Sequence, residues 1–146
     1  VPQGQTPPPE EVARRREVLA GLMMGTPFVS SLGLRVERFE ADDVLLRLPF
    51  AARLTNDGQT LHGGVVASLL DTAGAAAAWS AHDLRAGIRG STVALSVQYV
   101  RAARGTDLLA RGTTVRRARE LVFVEVHATD PSGEPIAHAV QTYRIA

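Results

Sequence analysis

The sequence predicts an α+β domain: a six-stranded antiparallel sheet curled round one long apolar helix, with a further helix at the N-terminus. Three observations predict it. Residues 63–79 carry Val65, Val66, Leu69, Leu70, Ala73, Ala75 to Ala78 and Trp79, the i, i+3, i+4 spacing of a helix with a wide apolar face. Two strand-like runs precede this helix and four follow it. The last four are joined by short, turn-rich connections, which predicts antiparallel neighbours.

In chain order, residues 1–9 are proline-rich and read as a disordered lead-in, leaving 10–146 as a single domain with one core. Glu10 to Met24 reads as a helix with acids first, an apolar stripe of Val12, Leu19, Leu22 and Met23, and Arg14, Arg15 and Arg16 on a solvated side. Gly25-Thr26-Pro27 ends it, and Phe28 to Leu32 is a short apolar segment of undefined state. A strand from Gly33 to about Glu40 turns at Ala41-Asp42-Asp43 and returns as Val44 to Phe50, with Val44, Leu46 and Leu48 alternating with more polar positions. After the central helix and a connection at 81–87 come strands at about 90–101, 106–117, 120–130 and 135–145.

Composition removes several function classes. A net charge of +1 gives no basic footprint for nucleic acid. All sixteen basic residues are Arg, the better bidentate phosphate binder. With no Cys there is no disulfide, thiol nucleophile or cysteine-ligated metal. The four histidines, at 62, 82, 127 and 138, lack metal-ligand spacing, so no metal is expected. No apolar run reaches membrane-spanning length and no signal pattern opens the chain, which favours a cytoplasmic protein. Nucleophile-elbow, Walker and dinucleotide fingerprints are missing.

The chemistry-bearing stretch is Asn56-Asp57-Gly58-Gln59-Thr60-Leu61-His62-Gly63-Gly64, a polar loop that runs into the apolar helix, with Asp71 embedded two turns further on. A helix N-terminus offers unpaired N–H groups and partial positive charge, and Gly63 and Gly64 let a ligand oxygen approach the backbone. A glycine pair before a helix is more often only a turn, and an acid in a helix more often solvated. Here Asp71 lies among Ala67, Ser68, Gly74 and Ala75, all small, so a carbonyl-polarising donor and a carboxylate sit on one element.

Asn56, His62-Gly63-Gly64 and Asp71, six and nine residues apart, resemble the motif of hotdog-fold acyl-CoA thioesterases of the phenylacetate-degradation (PaaI-like) type. Gly90-Ser91-Thr92-Val93-Ala94-Leu95-Ser96-Val97-Gln98-Tyr99-Val100-Arg101 looks like that family's next strand, and the resemblance covers roughly residues 27–145. It implies the hotdog fold and hydrolysis of small, medium-chain or aromatic acyl-CoA thioesters to free acid and CoA. By analogy, the Gly63 N–H polarises the thioester carbonyl, with Gly64 beside it, and Asp71 serves as general base or nucleophile. Asn56 would position water or the carbonyl, His62 would orient the loop, and the Thr92 hydroxyl would hold the water. The resemblance also implies a homodimer at least, with a homotetramer expected. Asp71 and Thr92 would come from one protomer and Asn56, His62 and Gly63 from the other. No cofactor is implied beyond the CoA of the substrate. Arg116 and Arg119 fall near the family's nucleotide-contacting basic residues, with Arg101 at another strand end.

Two departures stand out. Ala118 occupies a position often taken by Gly, and Gln141-Thr142-Tyr143 stands where a Gly-Thr-Phe-like end is common. Ala75 to Ala78 form a bulk-poor face that either leaves room for an acyl group or packs closely on the sheet. Met23, Met24 and Phe28 are candidates to close the pocket. The competing functions are a hotdog enoyl-thioester hydratase or dehydratase and a non-catalytic acyl-CoA-binding module.

Overall fold

The computed structural model describes residues 7–146, so most of the expected lead-in lies outside the described residues. The first helix, α1 (Pro9–Met24), opens one residue earlier than expected, with Pro9 in the first turn, where a missing N–H costs nothing, and Glu10 and Glu11 against the positive helix end. Its inner face carries most of the expected stripe: Val12, Leu19 and Met23 are half-buried, with Leu19, Met23 and Met24 packed against the core beside buried Ala20. Leu22 is 65% exposed, because it falls with Val18 on the outward side. Arg16 is not part of a solvated face either: it is half-buried and its Nη1 donates to Glu40 at 3.1 Å. The undefined segment is a second helix, α2 (Pro27–Leu32), closed by Gly33 in the left-handed region at φ 72°.

Six strands follow the predicted order around the central helix α3 (Gly63–Ser80): β1 (Arg35–Glu40), β2 (Asp43–Leu48), β3 (Gly90–Tyr99), β4 (Leu108–Ala118), β5 (Leu121–Thr129) and β6 (Pro135–Ile145). They form one antiparallel sheet in the order β1-β2-β4-β5-β6-β3. One expectation fails: β3 and β4 are not neighbours. The eight residues 100–107 that join them can span roughly 26 Å, enough to cross the three intervening strand spacings of about 14 Å. The crossing is pinned where Leu61 N–H donates to Ala103 O at 2.9 Å and Gly105 N–H to Gln59 O at 2.8 Å.

The alternation seen in the strands puts Val44, Leu46 and Leu48 of β2, Leu108 and Ala110 of β4, and Val122, Val124 and Val126 of β5 on the inner face. Helix α3 lies on that face with Leu69, Leu70, Ala73, Ala76 and Ala77 fully buried. Its small residues serve close packing. A Cβ added at Gly112 of β4 would stand 2.4 Å from Ala73 O and 3.2 Å from Ala77 Cβ, so helix and sheet meet with no room for a side chain.

The C-terminal end of α3 is tied down by polar groups. Arg117 donates to Ala78 O at 2.9 Å and to Asp42 Oδ1 at 2.7 Å, and Ser80 Oγ donates to Ala77 O while accepting the Asp42 N–H. On the sheet's outer side Asp43 accepts from Arg111 and Arg38, and the Arg111 guanidinium, opposed by burial, holds its carboxyl below the usual range. Asp107 is held low chiefly by the Phe50 N–H, again against burial, and then by Arg47.

Gly112→Ala is expected to lower stability by about 1–3 kcal/mol, because the backbone of α3 has to move; chemical denaturation of the full chain measures it. Because Asp43 and Asp107 have depressed folded-state pKa values, their contribution is present above the unfolded value near ~3.9 and is lost as pH falls through the folded one. Asp107→Asn is therefore expected to make the melting temperature fall less steeply than wild type between about pH 5 and pH 3.

Candidate active site

The loop before α3 is built by its own polar side chains. Asp57 Oδ1 accepts the N–H groups of Gln59 at 2.9 Å and Thr60 at 2.7 Å, and these donors, led by Thr60, hold the Asp57 carboxyl below the usual range. Thr55 Oγ1 accepts the Gly58 N–H at 2.7 Å, and Asn56 N–H donates to Thr60 O at 2.9 Å. Asn56 is thus fixed through its backbone, while its exposed side chain has no hydrogen-bond partner among the described residues.

His62 is the N-cap of α3, and its Nδ1 accepts the Gly64 N–H at 2.8 Å. Two consequences follow. An imidazole that accepts at Nδ1 carries its proton on Nε2. The Gly64 amide is engaged inside the chain, and Gly63 keeps the unpaired N–H of the first turn. Tyr99, at the end of β3, donates its hydroxyl to Gly63 O at 2.8 Å and lays its ring beside Gly63, about 3.6 Å from where a Cβ would stand.

Asp71 sits on the side of α3 that the sheet leaves uncovered, in a half-exposed stripe with Ala67, Ser68, Thr72 and Ala75. Its Oδ1 accepts from Thr92 Oγ1 at 2.7 Å and from Gln141 Nε2 at 2.5 Å. Among the described residues, no donor reaches Oδ2. The backbone of β3 arranges this. Inward-facing Leu95 and Val97 would by alternation bring Val93 inward, but the register shifts between Thr92 and Ala94. Val93 is left 57% exposed and Thr92 turns toward the helix. Beyond Asp71 the interior closes with Trp79, whose Nε1 donates to Tyr143 Oη at 3.1 Å; burial pushes the Tyr143 pKa up.

Thr92 and Asp71 are therefore brought together, as are His62 and Gly63. The two pairs do not meet within one chain: eight residues of helix place Gly63 about 12 Å from Asp71. Of the candidate phosphate contacts, Arg116 and Arg119 are exposed and make no ion pair among the described residues, whereas Arg101 pairs with Glu134 at 3.5 Å. Their neighbour Arg117 is spent on the end of α3.

The reading of the sequence missed two residues of this site. Tyr99 carries no pattern that would separate it from a strand aromatic. Gln141 does carry one, as a polar residue at an inward position of β6 between buried Ala139 and Tyr143. The histidines are also less scattered than their spacing suggests. His127 and His138 are register partners on the outer sheet face, with ring centroids 5.9 Å apart, though no group of three or more potential metal ligands occurs among the described residues.

Comparison with known proteins bears on this geometry. The family model of the thioesterase superfamily matches residues 58–137, which include α3 and strands β3 to β5. A Halobacterium salinarum protein provisionally named an esterase is 36% identical over 107 residues, covering 71% of this chain and 70% of its own. The medium/long-chain acyl-CoA thioesterase YigI of Escherichia coli is 28% identical over 132 residues, covering 82% of this chain and 85% of its own. The structure of the Escherichia coli PaaI protein, from the phenylacetic acid degradation operon, superposes with a TM-score of 0.80 at 18% identity, covering 93% of this chain and 94% of that one, so it shares the fold. With the family motif on α3 and the sheet wrapped round it, the chain belongs to the thioesterase superfamily and is a thioester hydrolase of the hotdog fold.

Proposed function

We propose that the protein hydrolyses acyl-CoA thioesters, with a small, medium-chain or aromatic acyl group, at a site shared between two copies of the chain. The observation that carries this reading is the Asp71 carboxylate, held on Oδ1 by two donors with Oδ2 open beside an uncovered sheet edge. The acyl-CoA thioesterase activity named for the 28% identical relative supports the substrate class.

The edge strand supports the sharing. β3 has ten residues, most of them exposed, including Val93 and Tyr99 at 57% and 56%. Such an edge is ordinarily paired or covered. Within one chain β3 braces α3 twice, through Thr92 at Asp71 and through Tyr99 at Gly63. If two copies pair antiparallel along β3, the Thr92 end of one lies against the Tyr99 end of the other. The acid then faces the partner's Gly63 amide, with the partner's Asn56 and His62 beside it. A dimer is the smallest assembly with a complete site, and stacking of two dimers gives the expected tetramer.

In this arrangement the Gly63 N–H binds the carbonyl oxygen and stabilises the oxyanion as it forms. Thr92 donates its hydroxyl hydrogen to Asp71, so its oxygen can accept from a water that also touches Oδ2. As base, Asp71 takes a proton from that water while the water oxygen bonds to the thioester carbon. The tetrahedral intermediate collapses by breaking the C–S bond, and the departing CoA sulfur recovers the proton. As nucleophile, Oδ2 would itself bond to the carbon, the C–S bond would break to release the CoA thiolate, which takes up a proton, and water would open the resulting anhydride to free acid and Asp71 carboxylate. Arg116 and Arg119 supply unpaired guanidinium groups for the CoA phosphates, with Arg101 after exchange from Glu134. A CoA-linked substrate is compatible with the cytoplasmic setting expected from the sequence.

Asp71→Asn is expected to lower kcat by about 10²–10⁴-fold, read by thiol release from a panel of acyl-CoAs that includes phenylacetyl and hydroxybenzoyl forms; an unchanged rate would sink the assignment. A single turnover in ¹⁸O water tests the anhydride route: label in the Asp71 carboxylate shows an anhydride opened at the Asp71 carbonyl carbon, whereas direct attack by water on the thioester labels the product acid alone. Sharing is checked by mixing two impaired variants, Asp71→Asn and Asn56→Ala. Re-equilibrated mixed dimers hold one intact site each and are expected to recover roughly a quarter of wild-type activity. No recovery, with exchange verified, would place the site within one chain.

A further inference from the structure

The geometry points to Gln141 as a positioning residue that selects Oδ2 of Asp71 as the reacting oxygen. This rests on Asp71 being the reacting acid. Gln141 is 2% exposed and stands at an inward position of β6. Its Nε2 donates to Asp71 Oδ1 at 2.5 Å and to Asp71 O at 3.1 Å, and reaches Thr92 Oγ1 at 3.4 Å. One amide thus grips the side chain and the backbone of the same residue with its two N–H groups, which fixes the torsions of that side chain. The Thr92 hydroxyl occupies the remaining side of Oδ1. Both bonds fall on one carboxylate oxygen, leaving the other to face the reaction.

The orientation of the amide follows from its neighbours. Turned over, it would set Oε1 against Asp71 Oδ1, two acceptors in contact. As it stands, Oε1 is buried without a partner. A buried acceptor left unpaired is destabilising. Inward positions of the same strand are filled by Ala137, Ala139 and Ile145, which carry no such burden. The compensation for Gln141 lies in its bonds to Asp71. Position 74 makes the fit possible: a Cβ on Gly74, one turn beyond Asp71, would stand 2.1 Å from Oε1 and 2.9 Å from Cδ of Gln141. Asp71, Gly74, Thr92 and Gln141 therefore form one unit, three of them supporting the fourth.

The test uses the full chain and the fastest acyl-CoA of the panel above. Gln141→Leu keeps the volume and removes both donors. It is expected to lower kcat about 10–100-fold while leaving KM nearly unchanged, since a misdirected carboxylate loses attack geometry rather than substrate binding. Gln141→Glu sets a second carboxylate on Oδ1. Two such groups at that distance do not both ionise, so the acid limb of the pH–rate profile is expected to move to higher pH. Wild-type kcat in Gln141→Leu with an unmoved acid limb in Gln141→Glu overturns the proposal, as does a loss confined to KM. If Gln141→Leu fails to fold by thermal melting, the near-isosteric Gln141→Glu decides through its pH profile. Asp71→Asn runs alongside. Should it stay active, the reading of the reacting acid fails; should it be dead while both Gln141 variants behave as wild type, the positioning role alone fails.

Discussion

The contact on which this structure depends is the bare approach of helix α3 to strand β4. Ala73 and Ala77 on the helix meet Gly112 on the sheet with no side chain between them. At that separation the curled sheet can wrap the helix closely, and the Leu and Val side chains on either side fill the remaining space at interior density. The same closeness explains why α3 is so rich in alanine. Residues 75–78 leave no acyl cavity within the core; three of the four are completely buried. On the helix's other side Ala67, Ser68, Asp71, Thr72 and Ala75 remain half-exposed.

That division of one helix into a packed face and an open face organises the chemistry. The open face begins at an N-terminus whose first amide is unpaired and ends where Trp79 and Tyr143 close the interior. His62 contributes by fixing the first turn through Gly64 rather than by presenting both ring nitrogens to a ligand. Asp71 contributes through an oxygen singled out by its neighbours. Several polar groups of the site are held by another residue of the same chain: His62 by the Gly64 amide, Thr92 and Gln141 by Asp71, and Tyr99 by the Gly63 carbonyl. Fixed dipoles of this kind need no reorganisation as charge develops.

Much of this was legible in the sequence. The order of elements, the apolar helix and the strand alternation of β2 and β5 follow from periodicity, because each of these elements buries one face against one neighbour. Asn56, His62, Gly63, Asp71 and Thr92 stood out as candidates through their spacing and the resemblance it carries, and of these the structure brings His62 to the first turn of α3 and Thr92 to Asp71. What escaped were features decided between elements distant in sequence. Strand β3 pairs with β6, not β4, because residues 100–107 are long enough to cross the sheet. Leu22 turns outward because Ala20 and Arg16 take the inner face of α1. Gln141 reaches Asp71 across seventy residues of chain, and only its polarity at an inward position hints at it.

The shift in β3 at Val93 has a bearing on how this chain can change over time. A regular strand tolerates gain or loss of a residue poorly only where one side is buried. Here the irregularity itself is what turns the Thr92 hydroxyl onto the acid. Absorbing Val93 into a perfect zigzag, with Leu95 and Val97 still facing inward, would leave a sound strand by any measure of propensity and aim Thr92 at open water. The pairing of this segment is thus under tighter constraint than its composition, and an alignment scored on apolar rhythm alone would slide one place at this point.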